Sequence, residues 1–469
     1  MAEQPRPASF EDLPSEVVLD VLAYVADVPT LDHLLLASPN ASRVFDAYGP
    51  EIVDHIFAKS VIPEIRFIMR AVALMRRSTI DEPPQADITL FFKHHMHTSS
   101  AFHKSLYSWR REDNAAFKGL LRNRSNEVPP NAFSAKELLL LARRTAIRAQ
   151  KCLRRAHERF LASAPSRPAE REFCYGMYPW DEPLDGVSFA PKDAGPPSWI
   201  EMQRMVRGFW RLQLLDEITL AVATRRVSWG DTDEDVLPGA LEEFYFNVLD
   251  YGHRRRPEDL RYYLYSHMGW GSQAEEVRMA QDFLKETTTN STEPSGLAQA
   301  IDRPKRTQAD VSPGAEGIGV YGKVTLWPDG TGWPPKSTSR WSPLRHLKFD
   351  NPGWKVCQRL TVARGSPLKN VPMREFRRMG FLVWEEKRLK AMGLLRIANW
   401  KPTKHFFPLE ARYASSFVFT WRSYLDDDVL RTADSQAKEE WLAFTKDLRS
   451  RSGVYSDEPY VVHSDWMRV

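Results

Sequence analysis

Asp12-Leu13-Pro14-Ser15-Glu16-Val17-Val18 opens a stretch that continues through Leu34-Leu35-Leu36-Ala37-Ser38-Pro39 to Arg43-Val44-Phe45. It reads as three short amphipathic helices. Pro14 suits the first helical position, where its missing N–H is no loss. Behind it Val17, Val18, Val21, Leu22 and Val25 fall on one stripe, with Glu16 and Asp20 outside it. Thr30 is placed to cap a second helix carrying Leu31, Leu34 and Leu35. Pro39 biases Ser38 away from helical geometry, so that helix should end there. Asn40 is placed to cap a third helix with Ala41, Val44, Phe45 and Tyr48 on its apolar side, punctuated by Gly49-Pro50. Three helices this short cannot bury all of these faces against one another. Some apolar surface must meet another part of the chain or another protein.

These residues resemble the F-box, a small helical module. The Leu13-Pro14-Ser15-Glu16-Val17 opening, the Val21-Leu22 pair, the leucine run ending in Ala-Ser-Pro and the Arg43-Val44-Phe45 end stand where that pattern has them. Phe45 takes the place where the family usually carries Trp. The leucine run is similar to a variant found in many filamentous-fungal proteins. The resemblance covers residues 12–57. It implies docking to the Skp adaptor of a cullin–RING ubiquitin ligase through Leu13, Pro14, Val17, Leu22 and Leu36, while the rest of the chain holds a protein substrate. On that reading the protein is an adaptor and not an enzyme, and it needs no cofactor. An amphipathic helix laid in an apolar groove is a recurring recognition mode. The alternative is that the same residues form the first helices of a larger all-α domain.

The whole chain of 469 residues is long enough for several cores. Charged residues make up 27%, an ordinary share for a soluble protein, and a net charge of +4 over this length does not mark a nucleic-acid binder. Cys152, Cys174 and Cys357 are odd in number and widely spaced, which speaks for a reducing compartment, cytoplasm or nucleus, and against a disulfide framework. No apolar run is long enough for a bilayer span, and Met1–Pro7 lacks the core of a signal peptide.

Along the chain, a tail (1–11) precedes the three-helix module (12–57), and a helical region (58–286) follows. Within that region Pro63 opens a helix with Ile65, Ile68, Met69 and Val72 on its apolar face and Arg66, Arg70, Arg76 and Arg77 as polar partners. Residues 86–123 read as one or two further helices. Ser134-x-x-Glu137 is a capping box for a long helix reaching Leu161. A Pro-rich connection spans 165–197. Residues 287–316 lose their hydrophobic side chains and read as a linker. The remainder, 317–469, reads as mixed α+β, with short strands over 318–365 and helices over 372–392 and 435–449. The expected class is therefore mainly α with a mixed C-terminal region.

Candidate chemistry is sparse. Gly317-Ile-Gly-Val-Tyr-Gly322-Lys-Val324 has the G-x-G-x-x-G spacing, but no strand precedes it and no helix follows, so a glycine-rich loop is the reading. His94-His95-Met96-His97 is the densest histidine cluster and lacks a cysteine or acidic ligand at metal-site spacing. No G-x-S-x-G is present. Asp426-Asp427-Asp428 reads as a helix start rather than a cation site. The helix over 134–161 crowds Arg143, Arg144, Arg148, Lys151, Arg154, Arg155 and Arg159 onto half its surface, which keeps a nucleic-acid-binding or general interaction protein as the competing functional class. The many tryptophans after residue 320 read as core, or as an aromatic substrate groove.

Overall fold

The structure is a computed structural model. It describes residues 9–25, 28–79, 133–163, 166–168, 186–188, 190–227, 260–289, 370–392 and 424–452, with single positions 91, 229, 353, 354 and 357. The described part is mainly helical. In order it holds a 3-10 turn (Phe10–Asp12), α1 (Ser15–Tyr24), α2 (Val28–Ala37), α3 (Pro39–Ser60), α4 (Pro63–Arg77), α5 (Ala135–Ala162), β1 (Ser166–Pro168), β2 (Gly186–Ser188), α6 (Trp199–Ala223), α7 (Leu260–Thr289), α8 (Met373–Arg378), α9 (Glu386–Ala391) and α10 (Asp427–Ser452). The two three-residue strands pair antiparallel, Arg167 opposite Val187. The helices expected over 86–123, the linker over 290–316 and the strands over 318–365 lie outside the described residues, save for residue 91 and positions 353, 354 and 357. The chain divides into two compact units, one from residues 1–152 and 202–344, the other from 153–201 and 345–469.

In the first unit, α1 and α2 both pack on α3. Val18 and Leu22 of α1, Leu31 and Leu35 of α2, and Val44, Phe45, Ile52, Val53, Ile56 and Phe57 of α3 are buried. Two sequence expectations are corrected here. Ser38, not Asn40, caps α3: its hydroxyl accepts the Ala41 N–H at 3.0 Å, because Pro39 occupies the first turn and needs no acceptor. Gly49-Pro50 does not end the helix. It bends it, with Tyr48 at φ −122° and ψ 16°, since Pro50 supplies no N–H to the helical ladder. Gly49 sits where a Cβ would come within 3.1 Å of Ala135.

α4 buries Ile65, Ile68, Met69 and Val72 as its spacing predicts. Arg70, expected on the polar side, is buried too, and burial beside Arg66 pushes its pKa down to about 10. α6 carries residues 201–212 entirely inside. Its Gln203 closes the α3–α4 corner, accepting the Ile62 N–H at 3.2 Å and donating to the Ser60 carbonyl at 3.2 Å. Those are groups that the end of one helix and the start of the next leave open. Glu217 accepts from Arg76 Nε at 2.7 Å, and Arg226 donates to the carbonyls of Met75 and Arg76 at the end of α4. Farther along, Arg207 and Glu276 of α7 form a two-pronged pair at 2.8 and 2.6 Å with no water access. Gly208 permits that approach: a Cβ there would lie 2.7 Å from the Glu276 carbonyl oxygen.

The second unit joins the end of α5 to residues 193–201, α8 and α9. Phe160, Phe381 and Tyr424 form an aromatic cluster with centroids 5.4–5.9 Å apart. The helix expected over 372–392 is two short helices, because Gly380 turns the chain at φ +73° and only a glycine lets Trp384 fold back over it. Arg388 donates to both Glu201 oxygens (2.9 and 2.7 Å), to the Gly195 carbonyl (2.8 Å) and to the Pro196 carbonyl. Glu201 also accepts the Ser198 N–H at 2.7 Å and receives its own N–H bond from the Ser198 hydroxyl's side, a capping box that starts α6. His157 faces Asp193 at 3.4 Å and stands edge-on to Trp384. Burial and the neighbouring Arg388 cation push its pKa below the ordinary histidine value, against a smaller upward pull from Asp193 and Glu158.

Two stability predictions follow from these contacts. Gly208→Ala should cost about 2 kcal/mol in chemical denaturation, since the carbonyl it meets is backbone and cannot swing aside. Because folded His157 resists protonation, the unfolded chain takes up the proton first. Stability should therefore fall as pH drops below about 6.5, and His157→Gln should flatten that slope in unfolding titrations from pH 7 to 5.

Candidate protein-docking site

The site is built on α1, and it begins with how the chain enters that helix. Ser9 starts the 3-10 turn, its hydroxyl accepting the Glu11 N–H at 3.3 Å while Asp12 accepts the Ser9 N–H at 3.1 Å. Asn40 at the head of α3 then reaches back. Its side-chain amide donates to the carbonyls of Glu11 (3.4 Å) and Leu13 (3.1 Å), and its backbone N–H donates to the Glu11 carboxylate (3.0 Å). Leu13 is thereby pinned half-buried, and Pro14 sits exposed as the residue before α1, its carbonyl accepting the Val17 and Val18 N–H groups.

α1 is apolar on two opposite sides. Val18 and Leu22 face inward with 0% exposure. Val17, Val21 and Tyr24, spaced i, i+4, i+7, face outward at 44%, 37% and 81% exposure. Glu11, Asp12, Glu16 and Asp20, all exposed, are the acidic groups of this stretch. On α2, Leu36 stands 72% exposed while Leu31 and Leu35 point into the core. A helix hydrophobic all round is ordinarily covered all round. Here the described residues cover one side.

Of the five positions that the sequence nominates for docking, Pro14, Val17 and Leu36 are on the surface and Leu13 is partly so. Leu22 is in the core, where it holds α1 to α3. The surface position of that turn is Val21, because a one-residue step on a helix turns the side chain by about 100°. Tyr24 is the exposed residue that sequence reasoning passed over; continuing the four-and-three spacing from Val17 through Val21 reaches it.

The other candidates resolve differently. Cys152 and Cys357 are buried free thiols, and no group of three or more metal-binding side chains occurs among the described residues. The histidine run at 94–97, Cys174 and the 317–324 glycine motif lie outside the described residues. The basic side of α5 is partly engaged internally: Arg143 pairs with Asp32 of α2, and Arg154 meets Glu158 at 3.4 Å. Asp427 and Asp428 begin α10, as the run of acids predicts. No helix among the described residues is long and apolar enough to cross a membrane.

The two sides of α1 should separate cleanly in a stability assay. Leu22→Ala should cost about 3 kcal/mol of unfolding free energy, whereas Val17→Ala should change it by less than about 0.5 kcal/mol, both read from urea midpoints.

In comparisons with known proteins, the chain matches no family model, no curated protein and no solved structure.

Proposed function

We propose that this chain is an F-box-type adaptor that docks to the Skp subunit of a cullin–RING ubiquitin ligase and presents a protein substrate to it. The observation that carries the reading is the second apolar side of α1, the Val17–Val21–Tyr24 stripe, left uncovered by the described residues. Pro14 and Leu36 stand on the surface in the same three-helix module, and the Leu-Pro-Ser-Glu-Val opening resembles the family in this segment. Burying a stripe of this kind in a partner's groove removes apolar area from water, the usual driving force of helix-in-groove recognition. Any ubiquitin transfer belongs to the assembled ligase and calls on no catalytic group of this chain.

Co-expression of the full chain with the Skp adaptor should yield a stable complex on size exclusion. Val17→Asp combined with Val21→Asp should weaken it by about 100-fold while leaving the midpoint of unfolding unchanged. Absence of a complex with the unaltered chain refutes the assignment.

A further inference from the structure

α5 lies beyond the segment that resembles the F-box, yet it carries an uncovered leucine beside that module. The sequence Leu138-Leu139-Leu140-Leu141 has three members in the core and one, Leu140, 42% exposed. A single exposed leucine is unremarkable on any protein. What distinguishes Leu140 is the company it keeps. Three residues later on the same helix, Arg143 forms an ion pair with Asp32 of α2, whose side chain is almost wholly buried, while that of Arg143 retains 31% exposure. Four residues after Asp32 on its own helix comes Leu36, 72% exposed. Residues three or four apart share a helix face at about 6 Å. Two uncovered leucines, from two helices, therefore each lie within one turn of the same partly hydrated ion pair. That pair fixes α2 against α5 within one unit.

We infer that the docking surface for the Skp adaptor continues from α1 and α2 onto α5, with Leu140 as a contact residue and the Asp32–Arg143 pair as the joint between the two parts. The inference rests on the reading above, since Leu36 belongs to both surfaces and supplies the continuity. A partner that covers Leu36 and Leu140 also excludes water from the pair between them. Coulombic attraction is stronger in such a drier setting, and contacts that ring a polar centre in this way typify the energetically dominant part of an interface. The module would then be recognised as it is braced by α5, not as three helices alone.

The test uses the full chain and purified Skp adaptor, with dissociation followed by biolayer interferometry and unfolding followed in parallel. Leu140→Asp should speed dissociation about tenfold at an unchanged midpoint of unfolding. Leu140→Met should behave as the parent, and Lys136→Ala, one turn away on the exposed side of α5, should have no effect. Parental dissociation by Leu140→Asp, with binding lost in the Val17/Val21 double variant, overturns the extension and leaves the adaptor reading standing. A lowered midpoint of unfolding for Leu140→Asp shows that the chain itself covers this leucine and also overturns the extension. No binding by the unaltered chain removes both.

Discussion

A helix that carries charges can run through a dry interior only if each polar group meets a partner. α6 imposes that constraint on the molecule. From Glu201 to Leu212 every residue is buried, and the sequence across that span includes Glu201, Gln203, Arg204, Arg207 and Arg211. Taking such groups out of water without a counterpart is prohibitive. The solutions are drawn from far along the chain. Within one unit Gln203 serves the α3–α4 corner, Arg207 is clasped by Glu276, and Glu217 takes the Arg76 guanidinium. Within the other, Glu201 is met by Arg388 and by the Glu385 N–H at 2.9 Å. Once such a network is satisfied it specifies one arrangement, because any slip leaves a buried charge without its partner.

The same strictness explains why α1 stands apart. Its inner side is settled by Val18 and Leu22 against α3, and the Asn40 amide fixes the chain leading into it. Its outer side has no such closure among the described residues. Elsewhere in this unit the polar groups are tied down at a distance of tens to hundreds of residues. An open apolar stripe against that background is a local exception, and local exceptions to packing are where function is usually found.

Much of this was legible in the order of residues, and the misses have physical causes. Pro63, the Ser134–Glu137 box and the acids at 426–428 are local signals, and each marks a helix start that the structure shows. The Ser198–Glu201 box carried the same signal and went unread, hidden at the end of a Pro-rich stretch. Ser38 and Asn40 are both plausible caps by type. Which one caps depends on where Pro39 falls, and Asn40 is used for a contact 27 residues back that no local rule reaches. α6 was the hardest case: buried arginines and glutamates mimic a solvated face, so periodicity reports helix but not burial. At the docking site, apolar type alone could not tell Leu22 from Val21, since both sides of α1 are apolar. The resemblance named the pattern, and the packing on α3 decided which member faces outward.

Arg388 bonds to Glu201 across an interval of 187 residues. During synthesis the acid leaves the ribosome well before its counter-ion, by roughly 10–40 s at typical elongation rates. For that interval the carboxylate has to stay wet, so the first turn of α6 cannot settle until the tail of the chain arrives. A nascent chain of this protein thus exposes half-finished surface for longer than one whose pairs are close in order, which makes its production a natural client of the chaperones that shield such intermediates.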